Sequence, residues 1–316
     1  HSDLRRQRQM CIRDRDIVVF SEFYSADGLK HNPRLAEKVL PHYEEEKPVI
    51  FQIFGNDPDT FVTAGKIIQS HGAAGIDINM GCPVKKVVKC WYGSGLMMNR
   101  DRAFAIVGAL AENLDIPISV KTRLGWENSE NLVEFWQWLE NAWCSLLSIH
   151  ARTFKQKFAW EADFRPVFDL KRAVNIPVLG NGCVKSYDDG IKKIHESFWH
   201  KESGIRNQES ESLTPDSWLL SWFMIWTAAI GNPWCFLPWG TKPSLDDILD
   251  TMQLHAQKLI ERKWEQRGCL EIRKHLVNYL SGFEGVKEYR KRLTQVESLT
   301  GLEEILDEIQ DKERAW

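Results

Sequence analysis

No stretch of this 316-residue chain approaches the roughly eighteen consecutive apolar residues that a membrane-spanning helix needs. The first residues also lack the apolar core of a secretory signal, so export is not expected. There are seven cysteines, irregularly spaced, and an odd number argues against a disulfide framework. No CxxC pair and no Cys/His cluster at zinc spacing occurs, so no metal site is expected. A reducing, cytoplasmic setting is the expectation that follows. Internal repeats and low-complexity tracts are missing as well. The net charge of −3 is not that of a strongly basic nucleic-acid binder, which leaves a local basic face as the route to a polyanion. What is present is ordinary for a globular protein: 43% hydrophobic and 27% charged residues. The length suffices for one large barrel and a small domain.

The chain is organised around residues 77–86. The run Ile76-Asp77-Ile78-Asn79-Met80 reads as a buried strand, and Gly81-Cys82-Pro83 stops it and turns the chain. A thiol is thereby placed at a strand's C-terminal tip, with Lys85 and Lys86 close behind. In a parallel α/β barrel that tip is the catalytic end. Lysines lower a thiol's pKa and hold phosphates. On the local pattern alone, an inert cysteine in a tight turn reads equally well.

Other apolar runs end in polar residues in the same way. Ile17-Val18-Val19-Phe20 is a short strand, followed by Ser21-Glu22-Phe23 and by Ser25-Ala26-Asp27-Gly28-Leu29, which reads as a turn into a loop. Glu22 faces either the mouth or the surface. The run 48–55 encloses one polar side chain, Gln52, and a buried amide needs partners. A helix starts at Asp57-Pro58-Asp59 and runs to His71 on a stripe of Phe61, Ala64, Ile67 and Ile68. Val87 to Gly95 reads as a loop. A helix over about 101–113 buries Phe104, Ile106, Val107 and Leu110. The strand 116–121 ends in Lys121, with Arg123 a lesser candidate, and the strand 145–149 is closed by His150. The strand 176–179 runs into Gly180-Asn181-Gly182, and a last apolar run begins near Phe223. Strands alternate with helices to about Trp234, as a TIM (β/α)8 barrel requires. Beyond Pro238–Pro243 the pattern is helical, with Leu245, Ile248, Leu249, Met252, Leu259 and Ile260 at helical spacing and a second run from Glu271. The domains expected are a barrel over 16–240 and a small helical domain over 243–316.

Residues 77–86, with Gly93-Ser94-Gly95-Leu96-Met97 behind them, resemble the signature of the tRNA-dihydrouridine synthases, flavin enzymes that reduce a uracil in transfer RNA. His150-Ala151-Arg152-Thr153 matches that family's His-x-Arg-Thr motif. The resemblance implies FMN as cofactor and NADPH as reductant, with Cys82 giving the proton to the base. It implies that Gln52, Lys121 and His150 surround the flavin ring, and that Asn181, Gly182, Ala228 and Ala229 lie toward its phosphate. It places tRNA against Asn79, Lys85, Lys86, Arg152, Arg273 and Lys274. The implied partner is tRNA, with no membrane, and the protein is expected to be a monomer.

Three departures stand against the resemblance. His1 to Arg15 is polar and basic and does not match the family's first strand with its Ala-Pro-Met loop, so foreign sequence is expected there, or else an incomplete barrel. Cys183 stands where the family is normally acidic. The polar stretch 195–218 precedes a run in which the family's phosphate-gripping Gly-Arg falls on Trp226-Thr227. Two lost phosphate grips imply weakened FMN binding. Two other readings stay open: a flavin-free RNA-binding relic of the family, and an FMN barrel oxidoreductase acting on a small molecule.

Overall fold

The computed structural model describes residues 17–42, 44–199, 220–238, 242–283 and 286–314. The expectations for residues 1–15 and for most of 195–218 therefore lie outside the described residues. The chain divides into two compact units. One comprises 17–184 and 189–225, and the other comprises 1–16, 185–188 and 226–316.

The first unit is a seven-stranded sheet in the order β1 (Val19–Ser25), β2 (Val49–Phe54), β3 (Gly75–Asn79), β4 (Ile118–Arg123), β5 (Leu146–His150), β6 (Val178–Asn181), β7 (Trp222–Met224). Every neighbouring pair is parallel, and sequence order equals spatial order. That is the topology of an incomplete (β/α)8 barrel, and among the described residues no eighth strand closes it. All seven strands start within two residues of the expected runs. Strands buried on both faces read as near-continuous apolar runs, which is why β2 and β3 stood out.

The crossovers are α1 (Ala26–His31), α2 (Pro33–Val39), α3 (Pro58–Ser70), α4 (Lys85–Val88), α5 (Arg100–Asn113), α6 (Leu132–Glu140), α7 (Arg165–Ala173) and α8 (Tyr187–Trp199). Asp57 caps α3 by accepting from the Thr60 N–H, and Pro58 sits in the first turn. Its Phe61, Ala64 and Ile68 are fully buried. Two loop expectations are corrected. Ser25 to Leu29 is the start of α1, because the Ser25 hydroxyl accepts from the Gly28 N–H and nucleates the turn. Residues 87–95 are bracketed by α4 and by a 3-10 helix over Gly93–Met98. In α5, Ala103 is buried in place of Phe104, which is half-exposed and packs on Trp138 with ring centroids 4.7 Å apart.

The second unit is built on α9 (Leu245–Lys263), α10 (Glu265–Tyr279), α11 (Val286–Leu293) and α12 (Leu299–Arg314). Ser244 opens α9 with a reciprocal capping box to Asp247. The second helical run begins at Glu265, six residues before the expected Glu271, and α12 had not been singled out at all. The four helices share one core that includes Met252, Leu259, Ile272, Leu276, Leu293 and Leu302. No described helix is long and apolar enough to cross a membrane.

Gly231 docks against α10 with φ +68°, and a β-carbon there would lie 2.7 Å from the His275 carbonyl and 2.8 Å from the Tyr279 nitrogen. Backbone cannot yield as a side-chain tip can, and a left-handed alanine is itself strained. Gly231→Ala should therefore destabilise this unit by roughly 1–3 kcal/mol. A thermal melt that matches the parent's would refute the packing described.

Candidate active site

The strand register places the polar residues in rows across the sheet. Gln52, Asp77 and Ser119 pair in sequence across β2, β3 and β4. Asn79, Lys121 and Ser148 form a second row, and Arg123, His150 and Asn181 a third, toward the strands' C-terminal ends. Side chains in such rows share a face, so neighbours in adjacent rows meet.

Asp77 lies at the centre of the first row and is fully buried. It accepts from Ser119 Oγ and from Gln52 Nε2, each at 2.6 Å. Burial pushes its carboxyl up to about 6 against the pull of those two bonds and of the Lys121 ammonium. Gln52 Oε1 in turn accepts from Asn79 Nδ2 at 2.7 Å. Asn79 Oδ1 then accepts from the N–H groups of Gly81 and Cys82, at 3.2 and 3.0 Å. A continuous chain of hydrogen bonds thus runs from Ser119 to the backbone of the Cys82 turn. Gln52 and Asn79, expected as flavin and substrate contacts, each give one amide hydrogen to this chain and keep another.

The turn is held from three further directions. Arg123 Nε donates to the Gly81 carbonyl at 2.8 Å. Thr122 Oγ1 donates to the Met80 carbonyl at 3.2 Å. The Ser94 N–H donates to the Cys82 carbonyl at 3.2 Å. Gly93, at φ +56°, lets the chain pass so close that a β-carbon would sit 3.0 Å from Cys82 Cβ. Cys82 itself is 8% exposed. Lys85 and Lys86 lie exposed on α4, and Cys90 is exposed on the following turn.

Arg123 extends this hold to the next loop. Its Nη1 donates to the carbonyls of Lys157 at 2.9 Å and Thr153 at 3.3 Å, and its guanidinium lies over the Phe158 ring. Arg152 is likewise spent inside the structure, donating to the Trp160 carbonyl, to Cys183 Sγ at 2.9 Å and, through Nη1, to His150 Nε2 at 3.2 Å. Cys183 thus meets Arg152 with a thiol.

Lys121 Nζ donates to Asn181 Oδ1 at 3.3 Å, and Asn181 Nδ2 donates to the Met224 carbonyl at 2.9 Å. Burial brings the Lys121 ammonium down to about 8, offset by Asp77 and reinforced by Arg123. His150 is taken down to about 3, first by burial and then by the charges of Lys121, Arg123 and Arg152. The imidazole is neutral, so its Nε2 accepts from Arg152. At Gly182, φ +115°, an added β-carbon would lie 3.4 Å from His150 Cδ2. The strand ends therefore carry a positive field around one uncharged histidine.

That field would suit an anionic ring system placed against Lys121. The described residues of β6 and β7 carry no lysine or arginine for a phosphate. Ala228 and Ala229 lie in a 3-10 helix over Thr227–Ala229 that belongs to the second unit.

In the second unit, Arg273 is occupied by the carbonyls of Val296 and Gln295. Lys263 and Arg267 share Glu271, and Arg292 pairs with Glu308. Lys274, Lys287, Arg290 and Lys291 are exposed, with no ion pair among the described residues. The basic face suggested by the sequence therefore narrows to these four.

Sequence reasoning did not single out Asp77, Ser119 or the structural part played by Arg123. The signal was present for Asp77, an acid between isoleucines inside a buried strand. Such a residue is tolerated only where partners wait on neighbouring strands.

The family described as "Dihydrouridine synthase (Dus)" matches this chain over residues 4–200 and 221–314. The match starts inside the stretch the sequence reading had set aside and skips residues 201–220. The chain is similar to "Probable tRNA-dihydrouridine synthase 1" of Synechocystis, at 32% identity over 92% of this chain and 78% of that protein. It is similar to "tRNA-dihydrouridine synthase B" of Pseudomonas aeruginosa, at 30% identity over 92% and 84%. "tRNA-dihydrouridine synthase B" of Pasteurella multocida is 28% identical over 97% and 91%. The family match and these relatives span both units, and the chain belongs to the dihydrouridine synthase family of flavin oxidoreductases.

Proposed function

We propose that this chain reduces a uridine of tRNA to dihydrouridine with Cys82 as the proton donor. The observation that carries this reading is the Cys82 turn, pinned by Asn79, Arg123 and Ser94 beside the positive strand ends. Bound FMN, reduced by NADPH, would supply the hydride for C6 of the base. The chain's own residues do the rest. The target base must leave its stack to reach a site at strand tips. Cys82 Sγ delivers a proton to C5, on a turn that five hydrogen bonds and a glycine contact keep from drifting. Lys121 stabilises negative charge at the ring end, and neutral His150 neither competes for the proton nor adds charge. Lys274, Lys287, Arg290 and Lys291 on the helical unit are the proposed grip on RNA phosphates, with Lys85 and Lys86 nearer the thiol.

Positioned proton transfer contributes about 10²- to 10⁴-fold. Cys82→Ala should lose that much of the rate at which tRNA reoxidises reduced flavin, while NADPH still reduces the flavin. Cys90→Ala, eight residues on at an exposed position, should leave both half-reactions intact. A crippled Cys90→Ala would move the assignment, and equal rates in both variants would remove the thiol from the mechanism. A parent chain with neither flavin spectrum nor turnover would favour the RNA-binding relic, to which Trp226-Thr227 points.

The charge at Lys121 is present near neutrality and is lost as pH rises through about 8. His150, at about 3, does not titrate near its ordinary 6.5. The pH profile of turnover should therefore fall on its alkaline side around 8, with no histidine limb near 6.5. Lys121→Arg, which stays charged, should move that limb to higher pH. A limb that stays put would belong to another group.

A further inference from the structure

A cavity of about 520 Å³ lies outside the Lys121–His150 cluster, with Arg123, which holds the Cys82 turn, in its wall. Met97, Met98, Arg100, Trp126, Phe135 and Trp136 are among the residues that line it. Its size is that of a small-ligand pocket. One wall is the 3-10 helix Gly93–Met98, whose Ser94 N–H holds the Cys82 carbonyl. Another is Arg123, which holds the Gly81 carbonyl. A group seated there would touch Arg123, one support of the proton-donating turn, and Met97 and Met98 at the end of the helix that carries the other.

Three aromatic side chains line the cavity, and two arginines face two glutamates. Trp126 stacks on Phe154 with ring centroids 3.8 Å apart and 15° between planes, so the indole is a rigid, pre-built platform. Arg100 pairs with Glu134 at 3.2 Å, Glu127 pairs with Lys155 at 2.5 Å, and Arg123 is spent on three carbonyls. Glu130, also in the wall, has no ion pair among the described residues. A phosphate would meet no free cation here and one free carboxylate. A neutral ring with an amino or imino N–H suits the site: it stacks on an aromatic face and donates to a carboxylate.

We propose that this cavity binds a second, unpaired nucleobase of the RNA, stacked on Trp126 next to the base that reacts. The proposal rests on the tRNA reading above. Unstacking the target frees its neighbour, and capturing that neighbour offsets the cost of opening the strand while helping to hold the target at Cys82. The adenine of a dinucleotide reductant has the same ring chemistry, but it brings phosphates for which this wall has no free cation.

The test uses the full chain and an unmodified tRNA transcript. Trp126→Leu should weaken transcript binding about tenfold, the order of one base stacked on an aromatic ring. Trp126→Phe should keep most of the affinity. Met98 is 56% exposed at the cavity, and Met98→Trp should crowd the site and weaken binding without touching the core. Thermal melts of the three variants separate lost binding from lost folding. NADPH affinity, read from flavin reduction without RNA, should not change. Transcript binding at the parent's level in both Trp126→Leu and Met98→Trp overturns the proposal. So does a loss confined to NADPH affinity, which would assign the cavity to the dinucleotide. A parent chain that binds no transcript removes the tRNA reading itself, a result distinct from either.

Discussion

A carboxylate fully removed from water must be satisfied by the protein, and in this barrel that requirement falls on Asp77. It fixes the Gln52 amide and the Ser119 hydroxyl, and through Gln52 it fixes Asn79. Asn79 then fixes the two N–H groups that begin the Cys82 turn. The acid does no chemistry in this arrangement. Its contribution is to make one orientation of the thiol loop far cheaper than any other, because each link broken upstream would strand a buried polar group. The same charge keeps a lysine tolerable in the next row, where Lys121 would otherwise be buried among cations.

Much of this was legible in the sequence, for a definite reason. Strands buried on both faces leave apolar runs, and functional side chains at barrel tips leave polar residues where those runs stop. Lys121, His150, Asn181 and Cys82 all announced themselves that way. What was illegible depends on register. Nothing local says that Gln52, Asp77 and Ser119 stand side by side, because their separations along the chain, from 52 to 119, carry no trace of the pairing. The bonds that join the Gln52 and Asn79 amides to each other and to the turn were for the same reason not foreseen. Ser25 was missed for a smaller reason: one hydroxyl that accepts from Gly28 turns an apparent loop into a helix.

The arginines show the limit of reading charge from sequence. Arg152 sits in the family motif and Arg273 on a basic helix, and both looked available to RNA. In the fold both are tied to carbonyls, and they act as struts between segments. An arginine has five donors in a planar fork, so it can brace several backbone oxygens at once. Lysines, with a compact charge on a flexible stem, supply most of the exposed, unpaired cations on α4 and on the helical unit, where Arg290 joins them.

The positions of the thiols give the chain an internal clock for its own motions. Cys90 and Cys183 are exposed and meet an alkylating reagent at once, whereas Cys144, Cys235 and Cys269 are buried and wait for unfolding. Burial also holds Cys144 at about 12, far from the thiolate form that reacts. Cys82 falls between these groups, buried by a single turn rather than by the core. Its labelling rate, bracketed by fast and slow neighbours in the same molecule, measures how often the hydrogen-bonded turn opens.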